Sequence, residues 1–286
     1  MRNTVKITAA AAVTAALALG LTACGTSSDP AAQAEGGKTD ESKPLVVAAT
    51  PVPHADILKF VKDNLAEKAG LKLEVKEFTD YVLPNTATES GEVGANFFQH
   101  KPYLDDFNKK NGTHIVPVVN VHLEPLGLYS KKAKAVTDIK SGQTVAVPND
   151  TTNEGRALHL LADNGLITLK DGVGTDATLS DIKDDKGLKF KELEAATLPR
   201  ALNDVDAAVI NGNYAIEADL KPAKDALALE KSEGNPYTNF LAVKQGNEND
   251  PRVKKLAELL NSPEVKKFIE DKYDGSVIPA FGAAKS

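Results

Sequence analysis

Arginine is scarce in this chain. Of 286 residues only Arg2, Arg156, Arg200 and Arg252 carry a guanidinium, and lysine supplies the rest of the 34 cationic side chains. A guanidinium offers a rigid fork of donors that matches a carboxylate, which a lysine ammonium does not. Arg156 stands in Pro148-Asn149-Asp150-Thr151-Thr152-Asn153-Glu154-Gly155-Arg156, where an apolar run gives way to helical spacing. Thr152 or Asn153 is the expected N-cap. The start of a helix favours anions, and a hydrogen bond to a charged group contributes roughly 1.5–3 kcal/mol. The competing use of Arg156 is an exposed pair with Glu154 or Asp150, which contributes at most about 1 kcal/mol. Residue type leaves the two even; the place at a strand end favours a bound carboxylate.

Asn211 ends the apolar run Ala207–Ile210, and Asn239 precedes the apolar run Phe240–Val243. An asparagine amide can accept from an ammonium and donate to a carboxylate. Turn formation beside Gly or Pro is the commoner use of both. Aromatic residues are 5% of the chain, yet Tyr81, Phe97, Phe98 and Tyr103 fall close together with His100. Core packing accounts for such a cluster, and so does a ligand wall; a thioether sulfur packs well on aromatic rings. The five histidines are His54, His100, His114, His122 and His159. No pair has i, i+4 helical spacing, so a zinc site from His54, His100 and His122 with Glu124 is a weak alternative. His114 and His159 read as solvated. No phosphate-binding glycine loop and no Gly-x-Ser-x-Gly elbow occurs, which leaves a surface hydrolase without a local signature.

The elements that must position these groups alternate. Leu45–Ala49, Leu71–Val75, Ala95–Phe98, Ile115–Val121 and Leu126–Tyr129 read as strands, with helices over His54–Ala69, Tyr81–Thr88 and Tyr103–Lys110. A second series has strands at Thr144–Val147, Leu188–Leu193, Ala207–Ile210 and Phe240–Val243, a helix over Glu154–Asp163, and two charged amphipathic helices at the end. Repeated βα units imply α/β lobes with mostly parallel sheets flanked by helices. Ligands then sit beyond the carboxyl ends of the strands, in a cleft.

The first residues have another purpose. Arg2 and Lys6 precede the uncharged stretch Ile7–Ala23, whose 17 residues fall short of the roughly 20 that span a bilayer. This reads as a secretory signal. It ends Leu21-Thr22-Ala23-Cys24, which resembles a lipobox, and Cys24 is the only cysteine in the chain. A single thiol forms no internal disulfide. Stable anchoring takes two or more acyl chains, such as palmitate. Residues 24–43 contain no Ile, Leu, Val, Met or aromatic side chain and read as a flexible tether. Loss of residues 1–23 removes Arg2 and Lys6 and takes the formal charge from -6 to -8. That acidic balance argues against nucleic acid as a partner.

Longer stretches carry a resemblance. Thr50-Pro51-Val52-Pro53-His54-Ala55, Tyr81-Val82-Leu83-Pro84-Asn85, Ala95-Asn96-Phe97-Phe98-Gln99-His100-Lys101-Pro102-Tyr103-Leu104, Glu124-Pro125-Leu126-Gly127-Leu128-Tyr129, Thr152-Asn153-Glu154-Gly155-Arg156 and Ala208-Val209-Ile210-Asn211 occur in that order. Together they resemble the methionine-binding lipoproteins of bacterial ABC importers, in the NlpA lipoprotein family, over the whole mature body. Gly94 and Thr151 depart from the family pattern, where Asp and Pro are usual. The resemblance implies a two-lobed periplasmic-binding-protein fold of type II, with ligand between the lobes. Residues 44–128 and 235–286 would form lobe 1, and 129–234 lobe 2. Arg156, helped by Asn153, would hold an amino-acid carboxylate. Asn211 and Asn239 would fix the ammonium and carboxylate, and Tyr81, Phe98, His100 and Tyr103 would line the thioether pocket. The implied ligand is L-methionine, with D-methionine a further candidate. The implied partners are an ABC permease with its ATPase subunit, and a membrane reached through the Cys24 lipid on the extracytoplasmic face. The resemblance implies a monomer without cofactor or metal and no catalysis.

Overall fold

The computed structural model describes residues 40–284; the expected signal segment, Cys24 and the tether as far as residue 39 lie outside the described residues. The chain is fastened to the body from its first described residues. Asp40–Ser42 form a turn, Lys72 Nζ donates to the Ser42 carbonyl (3.0 Å), and Arg252 donates to that of Lys43 (3.4 Å).

From there the chain builds β1 (Leu45–Ala49), α1 (Asp56–Val61, with wider turns at Pro51–Ala55 and Lys62–Ala66), β2 (Leu73–Glu77), α2 (Leu83–Ser90), β3 (Ala95–His100), α3 (Lys101–Asn111) and β4 (Ile115–Leu123). It then crosses to β5 (Gly127–Tyr129), β6 (Thr144–Pro148), α4 (Thr151–Asp163), the hairpin β7 (Thr168–Leu169) and β8 (Ile182–Asp184), β9 (Lys189–Leu193), α5 (Leu198–Ala201), β10 (Ala207–Ile210), α6 (Gly212–Glu217), α7 (Pro222–Asp225) and β11 (Ala228–Leu229). A second crossing leads to β12 (Asn239–Lys244), α8 (Pro251–Leu260), α9 (Pro263–Tyr273) and β13 (Ile278–Ala283).

Among the described residues the first sheet has the order β13-β4-β12-β3-β1-β2 and the second β11-β5-β10-β6-β9. Each centre is parallel: β1 pairs with β2 and β3, and β6 with β9 and β10. The chain returns through β12 antiparallel to β3 and β4, and β5 runs antiparallel to β10. A strand returning from the other lobe enters from the opposite end, so its first residue lies level with the last residues of its neighbours. Asn239 of β12 accordingly sits across from both His100 of β3 and His122 of β4.

Each lobe has its own core. In the first, Leu45, Val47 and Ala49 of β1 pack with Ile57, Leu58 and Val61 of α1, Phe97, and Val253, Leu256 and Ile269 of the last helices. In the second, Val145, Val147, Ala207 and Val209 meet Leu158 and Leu161 on one face, while Ala146, Ala208 and Ile210 meet Leu198 and Tyr214 on the other. Both faces of β10 are covered, which is why its sequence is apolar without alternation. The N-cap of helix α4 lies two or three residues before the expected ones. Asp150 is the N-cap, and its carboxylate accepts from the Asn153 amide (3.1 Å) and from Asn153 Nδ2 (2.9 Å). The carboxylate outcompetes the Thr152 and Asn153 side chains because it takes several first-turn donors at once. Gly155 lets α4 lie close to its neighbour, since a Cβ there would come 2.3 Å from the Thr175 carbonyl oxygen. Among the described residues no helix is long and apolar enough to cross a membrane.

Candidate functional site

The carboxyl end of β3, the residues just after β4 and β10, the first turns of α4 and the first residue of β12 face one buried cavity between the two sheets. Its lining contains all eight residues singled out in the sequence: Tyr81, Phe98, His100, Tyr103, Asn153, Arg156, Asn211 and Asn239. Gln99, Glu124, Gly212 and Asn213 complete it. Phe97 and Phe98 divide as strand alternation demands. Phe97 enters the core against His54, and Phe98 joins Tyr81 and Tyr103 on the cavity side.

Arg156 is buried at 4% exposure, and its partner is neither Glu154 nor Asp150. Nε and Nη2 donate to the two carboxylate oxygens of Glu230 (2.9 and 2.5 Å), and Nη2 also donates to the Glu124 carbonyl (2.8 Å). The Tyr237 ring lies 4.2 Å from the guanidinium carbon, a cation–π contact. One edge of the fork is therefore engaged inside the protein, and Nη1 is left without a hydrogen bond among the described residues.

A polar chain joins the lobes beside it. The His100 ring caps α3 by accepting from the Tyr103 amide (3.3 Å), so its other nitrogen carries the proton and donates to Asn153 Oδ1 (3.2 Å). Asn211 Nδ2 donates to the same oxygen (3.0 Å). Tyr81 donates its hydroxyl to Asn213 Oδ1 (2.6 Å), again from one lobe to the other. Burial, and the Arg156 charge after it, lowers the His100 pKa to about 3 and keeps the ring neutral. Two buried amide atoms on this wall, Asn211 Oδ1 and Asn213 Nδ2, have no partner among the described residues. Such atoms are rare in native proteins and call for an explanation. One accepts and one donates.

The same cavity also carries a carboxylate. Glu124 follows β4, and both His122 Nε2 (2.7 Å) and His54 Nε2 (3.2 Å) approach its Oε1. His54 Nδ1 faces the Thr50 hydroxyl (2.7 Å), and its Nε2 also faces Asn239 Oδ1 (3.1 Å). Burial lowers His54 to about 4 and His122 to about 3, so both rings are neutral N–H donors to Glu124. Burial also raises the Glu124 pKa, against the opposing pull of His54, Arg156 and the Asn213 amide. Gly212 permits this approach, since a Cβ there would come 2.8 Å from the Glu124 Cβ.

The weak zinc alternative is altered by this arrangement. Among the described residues His54, His122 and Glu124 gather in one cluster, and His100 is engaged elsewhere, by Asn153 and Tyr103. Ligands about 2.05 Å from a tetrahedral zinc stand roughly 3.3 Å apart. The 2.7 Å contact between His122 and Glu124 is that of two groups sharing a proton.

Sequence reasoning passed over Glu230, Tyr237 and Asn213 and gave Glu124 only a metal role. Asn213 was within reach, since it stands in the strand-end motif Ile210-Asn211-Gly212-Asn213, and Tyr237 in the segment before Asn239. Glu230 sits among other charged residues and carries no local signal.

Comparison with known proteins adds four findings. The model of the family described as NlpA lipoprotein matches residues 45–281. The methionine-binding lipoprotein MetQ of Bacillus subtilis is 44% identical over 264 residues, 91% of this chain and 93% of the relative. A nutrient-binding protein from Burkholderia cenocepacia, solved bound to methionine, superposes with a TM-score of 0.80 at 47% identity, over 83% of this chain and 100% of that one. A periplasmic substrate-binding protein of an ABC transporter from Coxiella burnetii matches with a TM-score of 0.78 at 42% identity, over 82% of this chain and 100% of that one.

Proposed function

The chain belongs to the NlpA lipoprotein family, and from that premise we propose that it is a membrane-anchored substrate-binding protein that captures methionine and delivers it to an ABC permease. The observation that carries this reading is the pairing of a buried cation, Arg156, with a buried carboxylate, Glu124, on one cavity that also has an aromatic wall. A free amino acid is a zwitterion, and these groups match its parts.

The carboxylate meets Arg156 Nη1 and Asn213 Nδ2, with Asn153 beside them. The ammonium meets Glu124, Asn211 Oδ1 and Asn239. Tyr81, Phe98, Tyr103 and the neutral His100 ring surround the thioether, whose sulfur gains from aromatic contact. The lobes, 44–128 with 235–286 and 129–234, close on the ligand because it touches both and binds the closed form more tightly. That form docks on the permease, and the ATPase subunit drives transport. Cys24 holds the monomer to the extracytoplasmic face of the membrane through its lipid, and residues 24–43 link it to the body. No bond is made or broken by the chain itself, and both enantiomers of methionine are candidates.

Calorimetric titration of the purified protein with L- and D-methionine, other amino acids and zinc tests this. Saturable methionine binding that Arg156→Ala removes is expected. A response to zinc with none to amino acids, or turnover of an ester or peptide, overturns it.

A further inference from the structure

Arg156 belongs to the second lobe, yet its partners lie on the two segments that cross between the lobes. The Glu124 carbonyl is on the first crossing, between β4 and β5; Glu230 and Tyr237 are on the second, between β11 and β12. Glu230 also accepts from the Leu126 amide (3.2 Å), and its own amide donates to the Leu126 carbonyl (2.9 Å), so it ties the crossings to each other.

The guanidinium forms part of the wall between two hollows. On one side is the cavity described above; on the other is a wider hollow, lined by Arg156, His159, Glu230 and Tyr237 among others. Glu230 lines only the wider one, so it backs the arginine without occupying the ligand's space.

We propose that Glu230 is the positioning residue of the ligand site: together with Tyr237 it holds the Arg156 guanidinium in that wall, so that Nη1 meets the ligand carboxylate. This rests on the methionine-binding reading above. Two effects oppose each other when Glu230 is lost. A cation without its counter-charge attracts a second carboxylate more strongly, which favours tighter binding. A buried cation without its partner also carries a large desolvation cost, which it escapes by turning into the wider hollow. The second effect wins, because the arginine side chain is long and flexible and the wider hollow lies directly behind it. Ligand binding must then draw the guanidinium back out of water.

The test compares wild type, Glu230→Ala and Glu230→Gln as full chains, with L-methionine and with L-methioninamide, which lacks the carboxylate charge. Affinities come from calorimetry, and from thermal shift at millimolar ligand where binding is weak. Glu230→Ala is expected to weaken methionine roughly tenfold or more, the size of a lost hydrogen bond to a charged group, and to leave methioninamide nearly unchanged. Glu230→Gln, which keeps one acceptor oxygen, falls between and serves alone if the alanine variant does not fold. Unchanged or tighter methionine binding overturns the proposal, and so does an equal loss for both ligands, which would mark a merely structural role. A wild type that binds neither ligand overturns the methionine reading and this proposal with it.

Discussion

The two charged walls of the cavity are built on different principles. Arg156 is matched by a formal counter-charge, the Glu230 carboxylate, and by the face of Tyr237. Glu124 is matched at close range by neutral donors, the N–H groups of His54 and His122. The cationic wall is internally neutral, a guanidinium held by a carboxylate. The anionic wall keeps most of its charge uncompensated. On the proposed reading the ammonium supplies what Glu124 lacks, while the carboxylate finds a guanidinium already held in place. A buried charge left partly unpaired is costly to the empty protein, and that cost is returned when the ligand arrives.

Acid acts on the buried histidines of both regions. His54, His100 and His122 have folded pKa values of about 4, 3 and 3, against about 6.5 when unfolded. Between those values the unfolded chain binds more protons, so stability falls as pH drops below about 6.5. The loss approaches 1.4 kcal/mol per pH unit for each histidine. Glu124, Asp150 and Glu154, whose pKa values burial raises, act in the opposite sense, but nearer the ordinary carboxylate range, so the histidines set the slope just below pH 6.5. Urea midpoints at pH 7, 5.5 and 4.5 check this; a flat profile shows that the rings are not buried and neutral.

Arg156→Ala should weaken methionine by more than about a hundredfold, as truncation of a buried, hydrogen-bonded charge does. Glu124→Gln should cost about tenfold or more and flatten the response of methionine affinity to acid, since burial raises the Glu124 pKa; calorimetry from neutral pH downward reads both. If the two substitutions prove equal in size and pH dependence, the contrast between the walls is lost. Asn239→Ala removes one neutral contact and one of the two partners of His54 Nε2, so about a fivefold loss is expected; unchanged affinity would confine Asn239 to strand pairing. Lys267→Ala breaks an exposed i, i+4 pair with Asp271, and should move stability by less than about 0.5 kcal/mol and leave binding alone.

Much of the site was legible in local patterns. Strand ends, a scarce arginine and an aromatic cluster are short-range features, and the resemblance joined them into one set of eight residues that share a cavity. The cap of α4 was misread by a few residues because several first-turn side chains can serve, and only their packing chooses. The unread elements were the shortest or the latest. The hairpin β7–β8 and strand β11 are two or three residues long, and β13 completes a sheet whose other strands lie far away in sequence.

Composition, charge and hydropathy patterning thus established an acidic α/β body behind an expected lipid anchor, because those properties depend on residue type and near neighbours. The tertiary structure decided which groups meet. Arg156 lies 74 residues from Glu230 and His54 lies 185 from Asn239, and pairings at such separations exist only once two independently packed sheets and two crossings bring them together. The partners that set the charge of each wall therefore lay beyond local reading, although the groups that face the cavity did not.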